Sequence, residues 1–209
     1  MIEVVWFKRD LRVHDHAALA AAAASGRPVL PLYIVEPALW QQPEMAGRHF
    51  AFLSECLSEL QASLKARGAN LVVRQGDAVA VLHDLHQAHS IATIHAHEET
   101  GLLWTYDRDK AVRRWARQAG VPFCEYRQFG VWRALRNRDG WAARWERMMR
   151  SPPVPAPTSL RGADLRGDDL PDAPALGLAP DPCPERQCGG RREAARLLKT
   201  FLSDRGRFY

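Results

Sequence analysis

The apolar run Val4-Val5-Trp6-Phe7 breaks directly into Lys8, Arg9, Asp10, Arg12, His14 and Asp15. Charged groups packed that closely after a strand can catalyse, hold a cofactor, or brace the first turn of a fold. Arg9, Asp10 and Arg12 suffice for a local ion-pair and hydrogen-bond network, which needs no ligand. Asp15 reads as the N-cap of the helix in "HAALAAAAASG", with Gly26 stopping it. His14 and His16 invite a nucleotidyl-transferase reading, but the glycine that would let backbone approach a phosphate is missing. No G-x-G-x-x-G, no G-x-x-x-x-G-K-[ST] and no Ser nucleophile elbow occurs, which argues against a dinucleotide on the first helix and against a P-loop. Cys56, Cys124, Cys183 and Cys188 lack zinc-site and disulfide-scaffold spacing, so reduced thiols and no metal are expected.

The elements that must position these residues alternate. Short apolar runs at Glu3 to Phe7, Val29 to Val35, Leu71 to Val73, Ile91 to His95 and Pro122 to Tyr126 read as strands. Between them Leu53, Leu57, Leu60 and Leu64 recur at helical spacing before Gly68, and Trp104, Val112, Trp115 and Ala119 line one side of a helix ending at Gly120. Continuous apolar strands, each followed by a helix, imply an α/β fold: a Rossmann-like five-stranded parallel sheet with helices on both faces. Ligands bind such sheets beyond the carboxyl ends of the strands. "FKRDLRVHD", "VEPALW" and "HEETG" therefore meet on one rim.

Three segments are expected: residues 1–133 as the α/β domain, 134–190 as a linker, and 191–209 as the first helix of an all-helical domain. The linker is plainest from Ser151, where prolines accumulate and apolar periodicity stops. Ala195, Leu198, Phe201 and Leu202 then fall on one side of a helix that has no partner in the sequence. No run of eighteen apolar residues and no signal-like start occurs, so no membrane span is expected and a cytoplasmic location is. A net charge of +5 and a pI near 9.3 suit a nucleic-acid partner without requiring one. Trp132, Trp141 and Trp145 among six arginines between Arg133 and Arg150 allow a base-stacking surface; the four-residue spacing of Trp141 and Trp145 favours packing instead.

Taken together, "VVWFKRDLRVHDHAAL", "LYIVEPALW", "EETGLLWTYDRDKAVRRWA", "GVWRAL" and "FLSDRGRFY" resemble the N-terminal half of the photolyase/cryptochrome family over nearly the whole chain. The opening W-F-[KR]-x-D-L-R-x-x-D pattern is the most specific part. The resemblance implies a two-domain blue-light flavoprotein, monomeric as a whole. Its α/β domain can hold an antenna chromophore of folate, deazaflavin, flavin or lumazine type, and its helical domain binds FAD and UV-damaged DNA. Tyr209 corresponds to the tyrosine at the start of the FAD site; no catalytic residue falls within this sequence, and the 209-residue chain alone is expected to be inactive. Arg9, Asp10 and Arg12 would brace the first strand's exit and the contact between domains. The antenna site is expected at Glu36, Arg48, Phe52, Glu98 and Glu99, where helix N-termini and strand C-termini meet. An alternative stays open, in which Arg48 simply pairs with Glu36 or Glu99 on an empty rim. Three functions follow: a DNA photolyase, a cryptochrome that senses light without repair, or a stand-alone pigment- or nucleotide-binding module.

Overall fold

The computed structural model describes residues 1–133 and 135–208. Five strands, β1 (Ile2–Phe7), β2 (Val29–Val35), β3 (Val72–Gln75), β4 (Ile91–His97) and β5 (Phe123–Tyr126), form one sheet in the order β3-β2-β1-β4-β5. All neighbouring strands run parallel. The order reverses between β1 and β4, which opens a crevice beyond their carboxyl ends. Every residue of β1 and β2 is buried, as strands covered on both faces require. Compared with the sequence reading, β3 begins one residue later and runs on to Gln75, and β4 extends to His97.

Helices α1 (Ala17–Ala24), α2 (Pro37–Trp40), α3 (Gly47–Lys65), α4 (Ala78–His89) and α5 (Leu103–Gln118) connect the strands. In α3, Leu53, Leu57, Leu60 and Leu64 are all buried and pack with Phe7, Tyr33 and Val35 on one side of the sheet. In α5 the buried face is Thr105, Arg108, Asp109, Val112 and Ala116; Trp104, Trp115 and Ala119 only flank it. An apolar stripe is the expectation there, but two of these five buried residues, Arg108 and Asp109, are ionic, because the face meets carboxylates from two strand ends.

Asp15 does not cap α1. His16 does: its Nδ1 accepts the Leu19 amide at 3.0 Å. Asp15 sits in the left-handed region at φ 53° and holds the linker instead, donating its amide to Val154 O at 2.7 Å and accepting the Val154 amide at 3.2 Å.

The proline-rich segment is draped over the sheet edge. β3 pairs with β2 only from Leu32 onward, and the linker fills the vacant slot below. Val29 donates to Arg161 O at 2.7 Å and Ala163 to Val29 O at 2.8 Å, making a parallel bridge at Gly162. Leu160 and Leu176 bury their side chains beneath it. Beyond the sheet, α6 (Trp141–Met149) and α7 (Arg191–Ser203) bury no residue. Trp141 and Trp145 lie against each other with ring centroids 6.4 Å apart, and each is 41% exposed.

Candidate functional site

A cavity of about 730 Å³ opens beyond the carboxyl ends of β1, β2 and β4. Lys8 and Arg9 enter it from the β1 exit, Glu36 from the β2 exit and Glu99 from the β4 exit. Trp40, Phe52, Leu53 and Cys56 form an apolar wall, and Gly190, Arg191 and Ala194 close one side. The volume lies in the range of small-molecule sites.

Its polar floor is organised by Arg108. One face of α5 points the guanidinium under the strand ends, where Nη1 donates to Glu36 Oε2 at 2.7 Å and Nη2 to Glu99 Oε2 at 2.6 Å and Asp109 Oδ1 at 2.9 Å. Lys8 Nζ holds the other Asp109 oxygen at 2.9 Å. Arg108 Cζ and Lys8 Nζ stand 4.8 Å and 4.9 Å from the Trp6 ring centroid, so the indole face shares the positive charge. Three carboxylates thus face two cations. Burial pushes the Glu36 carboxyl up to about 7 against the opposing attraction of Arg108. Burial, with Glu36 beside it, likewise raises the Tyr33 hydroxyl, and both tend to keep the floor protonated at these two positions.

Glu36 Oε1 and Trp40 Nε1 are enclosed and have no hydrogen-bond partner among the described residues. A group left in that state costs about 1–3 kcal/mol.

Of the residues expected at an antenna site, Glu36, Phe52 and Glu99 do line this cavity. Arg48 does not: it binds Asp181 of the linker through its guanidinium at 3.2 Å and its amide at 3.1 Å. The ion pairs considered for Arg48 are made by Arg108 instead. Glu98 is also outside. It directly precedes Glu99, and its carboxylate pairs instead with Arg127 and Arg133 at 3.5 and 3.6 Å. Tyr209 lies outside the described residues. Arg108 was missed because "DRDKAVRR" reads as a solvated helix face; its spacing from Val112 and Ala116, four and eight residues on, was the available signal.

Arg9, Asp10 and Arg12 do not form one network. Asp10 is buried, and its Oδ2 meets His97 Nδ1 at 2.6 Å and His16 Nε2 at 2.8 Å, while Oδ1 accepts the Lys8 amide at 2.9 Å. Burial raises this carboxyl, but the hydrogen bonds from His16 and His97 outweigh it and hold it well below the usual range. These are metal-ligand residue types within reach of one another. The Leu19 amide, however, occupies His16 Nδ1, so the ring proton sits on Nε2 facing Asp10. The cluster is therefore a hydrogen-bonded knot. Arg12 donates to Asp15 O and Gln128 Oε1, and Arg9 remains exposed at the cavity mouth.

Comparison with known proteins agrees with this architecture. The DNA photolyase family model matches residues 3–140. The blue-light photoreceptor PHR2 of Arabidopsis thaliana is 30% identical over 96% of this chain and 50% of its own length. The deoxyribodipyrimidine photo-lyase of Streptomyces griseus is 26% identical over 97% of this chain and 46% of its own. Among solved structures, an archaeal photolyase from Sulfolobus tokodaii superimposes with a TM-score of 0.69 at 24% identity, over 95% of this chain and 46% of that one; it is described with two FAD molecules and a novel light-harvesting cofactor. The chain spans about half the length of the curated relatives it matches. With its opening pattern, its 3-2-1-4-5 parallel sheet and a family match over most of its length, this chain belongs to the DNA photolyase family.

Proposed function

We propose that this chain is the antenna-bearing front portion of a light-dependent deoxyribodipyrimidine photolyase, with residues 1–133 as the pigment domain, 134–190 as linker and 191–209 opening the helical FAD domain. A cytoplasmic, monomeric whole protein belongs to the same reading. The observation that carries it is the strand-end cavity with its aromatic wall and its polar floor built on Arg108, Glu36 and Glu99. A flat heterocycle with hydrogen-bonding edges fits that donor set. In this reading a pigment held in the cavity would supply light collection, and reduced FAD held by the whole protein would supply the light-driven redox chemistry for repairing pyrimidine dimers in UV-damaged DNA. The Arg108 cluster fixes Glu36 in the floor, and Trp40, Phe52 and Leu53 would offer the apolar wall against which a ring could lie. Tyr209 would contribute to the FAD site. The relative named for deoxyribodipyrimidine photolysis supports repair; the relative named a blue-light photoreceptor supports a second reading, light sensing without repair.

The test is made on the full-length polypeptide purified from its own cells. Pigments released on denaturation are quantified by absorbance, and dimer repair is followed under blue light. Two pigments per chain with light-dependent repair is the expected result. Two pigments without repair would move the function to sensing, and FAD alone would remove the antenna.

A further inference from the structure

Away from the cavity the sheet carries a line of titratable groups, Glu3, His95 and Tyr126, none of which lines that pocket. We propose that Tyr126 is a one-electron donor, passing its phenolic proton to His95 as an aromatic radical cation or a photo-oxidised dye takes its electron. The inference rests on the light-driven reading above only for where such an oxidant would arise in the whole protein.

The three residues stand on β1, β4 and β5, which are neighbours in the sheet. Glu3 is in register with Thr93, and His95 with Cys124. His95 and Tyr126 each lie two residues beyond those partners, so all three side chains leave the same face of the sheet. His95 Nε2 is 3.0 Å from Glu3 Oε2, and its Nδ1 is 2.9 Å from the Tyr126 hydroxyl. Glu3 and His95 are buried and Tyr126 is half-buried. The phenol ring is fixed as well: it stacks on His95 at 23° with centroids 5.9 Å apart, and it meets the His97 ring edge-on at 6.5 Å.

Burial raises the Glu3 carboxyl, but hydrogen bonds from Arg27 and His95 outweigh it and hold it below its usual range. A carboxylate only accepts, so the neutral ring carries its proton on Nε2 and keeps a lone pair on Nδ1 for the Tyr126 O–H. Tyr126 itself stays protonated, because burial raises its hydroxyl and Cys124 and Glu3 add to that. Loss of an electron makes a phenol strongly acidic, and here the proton has one hydrogen bond to cross. The products are a neutral phenoxyl radical, an imidazolium whose Nε2–H faces the Glu3 carboxylate, and the reduced oxidant. Return of one electron reverses both transfers. Tyr33 and Tyr106 hydrogen-bond to no such base among the described residues.

The test is flash oxidation of the chain, whose sheet has a core on each face, by a photo-oxidised ruthenium polypyridyl complex. The radical is followed by transient absorbance and electron paramagnetic resonance, with ring-deuterated tyrosine to separate it from tryptophan radicals. The expected result is a tyrosyl signal that Tyr126→Phe removes although Tyr33, Tyr106 and Tyr209 remain. His95→Gln keeps a hydrogen-bond acceptor but no base, and should slow formation of the radical by about 100-fold and abolish its solvent deuterium isotope effect. Glu3→Gln keeps a bond to His95 but removes the charge that steadies the imidazolium, and should slow formation by about tenfold; it decides the matter if His95→Gln does not fold. A tyrosyl signal that survives Tyr126→Phe, or no signal in the natural protein, overturns the inference. So does a Tyr126 radical that the folded variants form as fast as the natural protein. None of these outcomes touches the pigment reading, which is decided by what the full-length protein releases on denaturation.

Discussion

Glu36 shows how one residue's environment becomes a measurable property. In the unfolded chain its carboxyl titrates near 4.5; in the fold, burial together with Asp77 and Asp109 outweighs Arg108 and places it at about 7. Between those two values the folded protein holds a proton that the unfolded chain has lost, so this residue's contribution to stability declines as pH rises from about 4.5 to 7. The displacement corresponds to about 3 kcal/mol above that window. Gln cannot ionise. Glu36→Gln should therefore gain melting temperature relative to the natural protein as pH goes from 5 to 8, measured by thermal unfolding at both; a difference that does not change with pH would contradict the assignment. Glu36 was legible in the sequence as a polar residue at a strand exit. Its partner Arg108 was not, because 72 positions separate them and only the sheet order brings them together.

At the scale of elements, Asp10 ties three of them at one point: the exit of β1, the cap of α1 and the end of β4. Its buried carboxylate stands 2.8 Å from His16 Nε2 and 2.6 Å from His97 Nδ1 and accepts the Lys8 amide. Asp10→Asn removes the charge and turns an amide N–H toward donors. A loss of about 3 kcal/mol is expected, in the range for breaking a buried charged pair, read as a lower denaturant midpoint with an unchanged slope. An unchanged midpoint would mean that the knot is dispensable. The sequence pattern flagged Asp10 correctly as a brace but mistook its partners. Charge alone suggested Arg9 and Arg12; the histidines win because they are the residues that the helix start and the neighbouring strand carry to the same place.

At the scale of the whole molecule, the proline-rich segment bridges the edge of the sheet at Val29 and Gly162. Gly162 lies so close to the loop after α3 that a Cβ would stand 2.6 Å from Gly68 O and 2.8 Å from Ala69 Cα. Gly162→Val should lift the linker from β2. Hydrogen exchange would then show Ala163, whose amide bonds Val29 O, losing protection while Val4 and Val5 at the centre of the sheet keep theirs. Equal protection at Ala163 in both proteins would show that the strap tolerates the side chain. Composition marked this stretch as extended, which is correct locally; that it completes the slot left by the short β3 depends on register.

The sequence by itself determined the alternation of strands and helices, the parallel sheet, the buried leucine face of α3 and the rim at which the cavity opens. Each follows from local periodicity and from the one way such units pack. Tertiary structure alone decided which charges meet. It sent Arg48 to Asp181 and Glu98 away from the cavity, and it set Arg108 beneath Glu36 and Glu99. The reason is physical: hydrophobic pattern is written along the chain, whereas ion-pair choice depends on which side of a strand end each residue faces and on distances of a few ångströms between segments far apart in sequence.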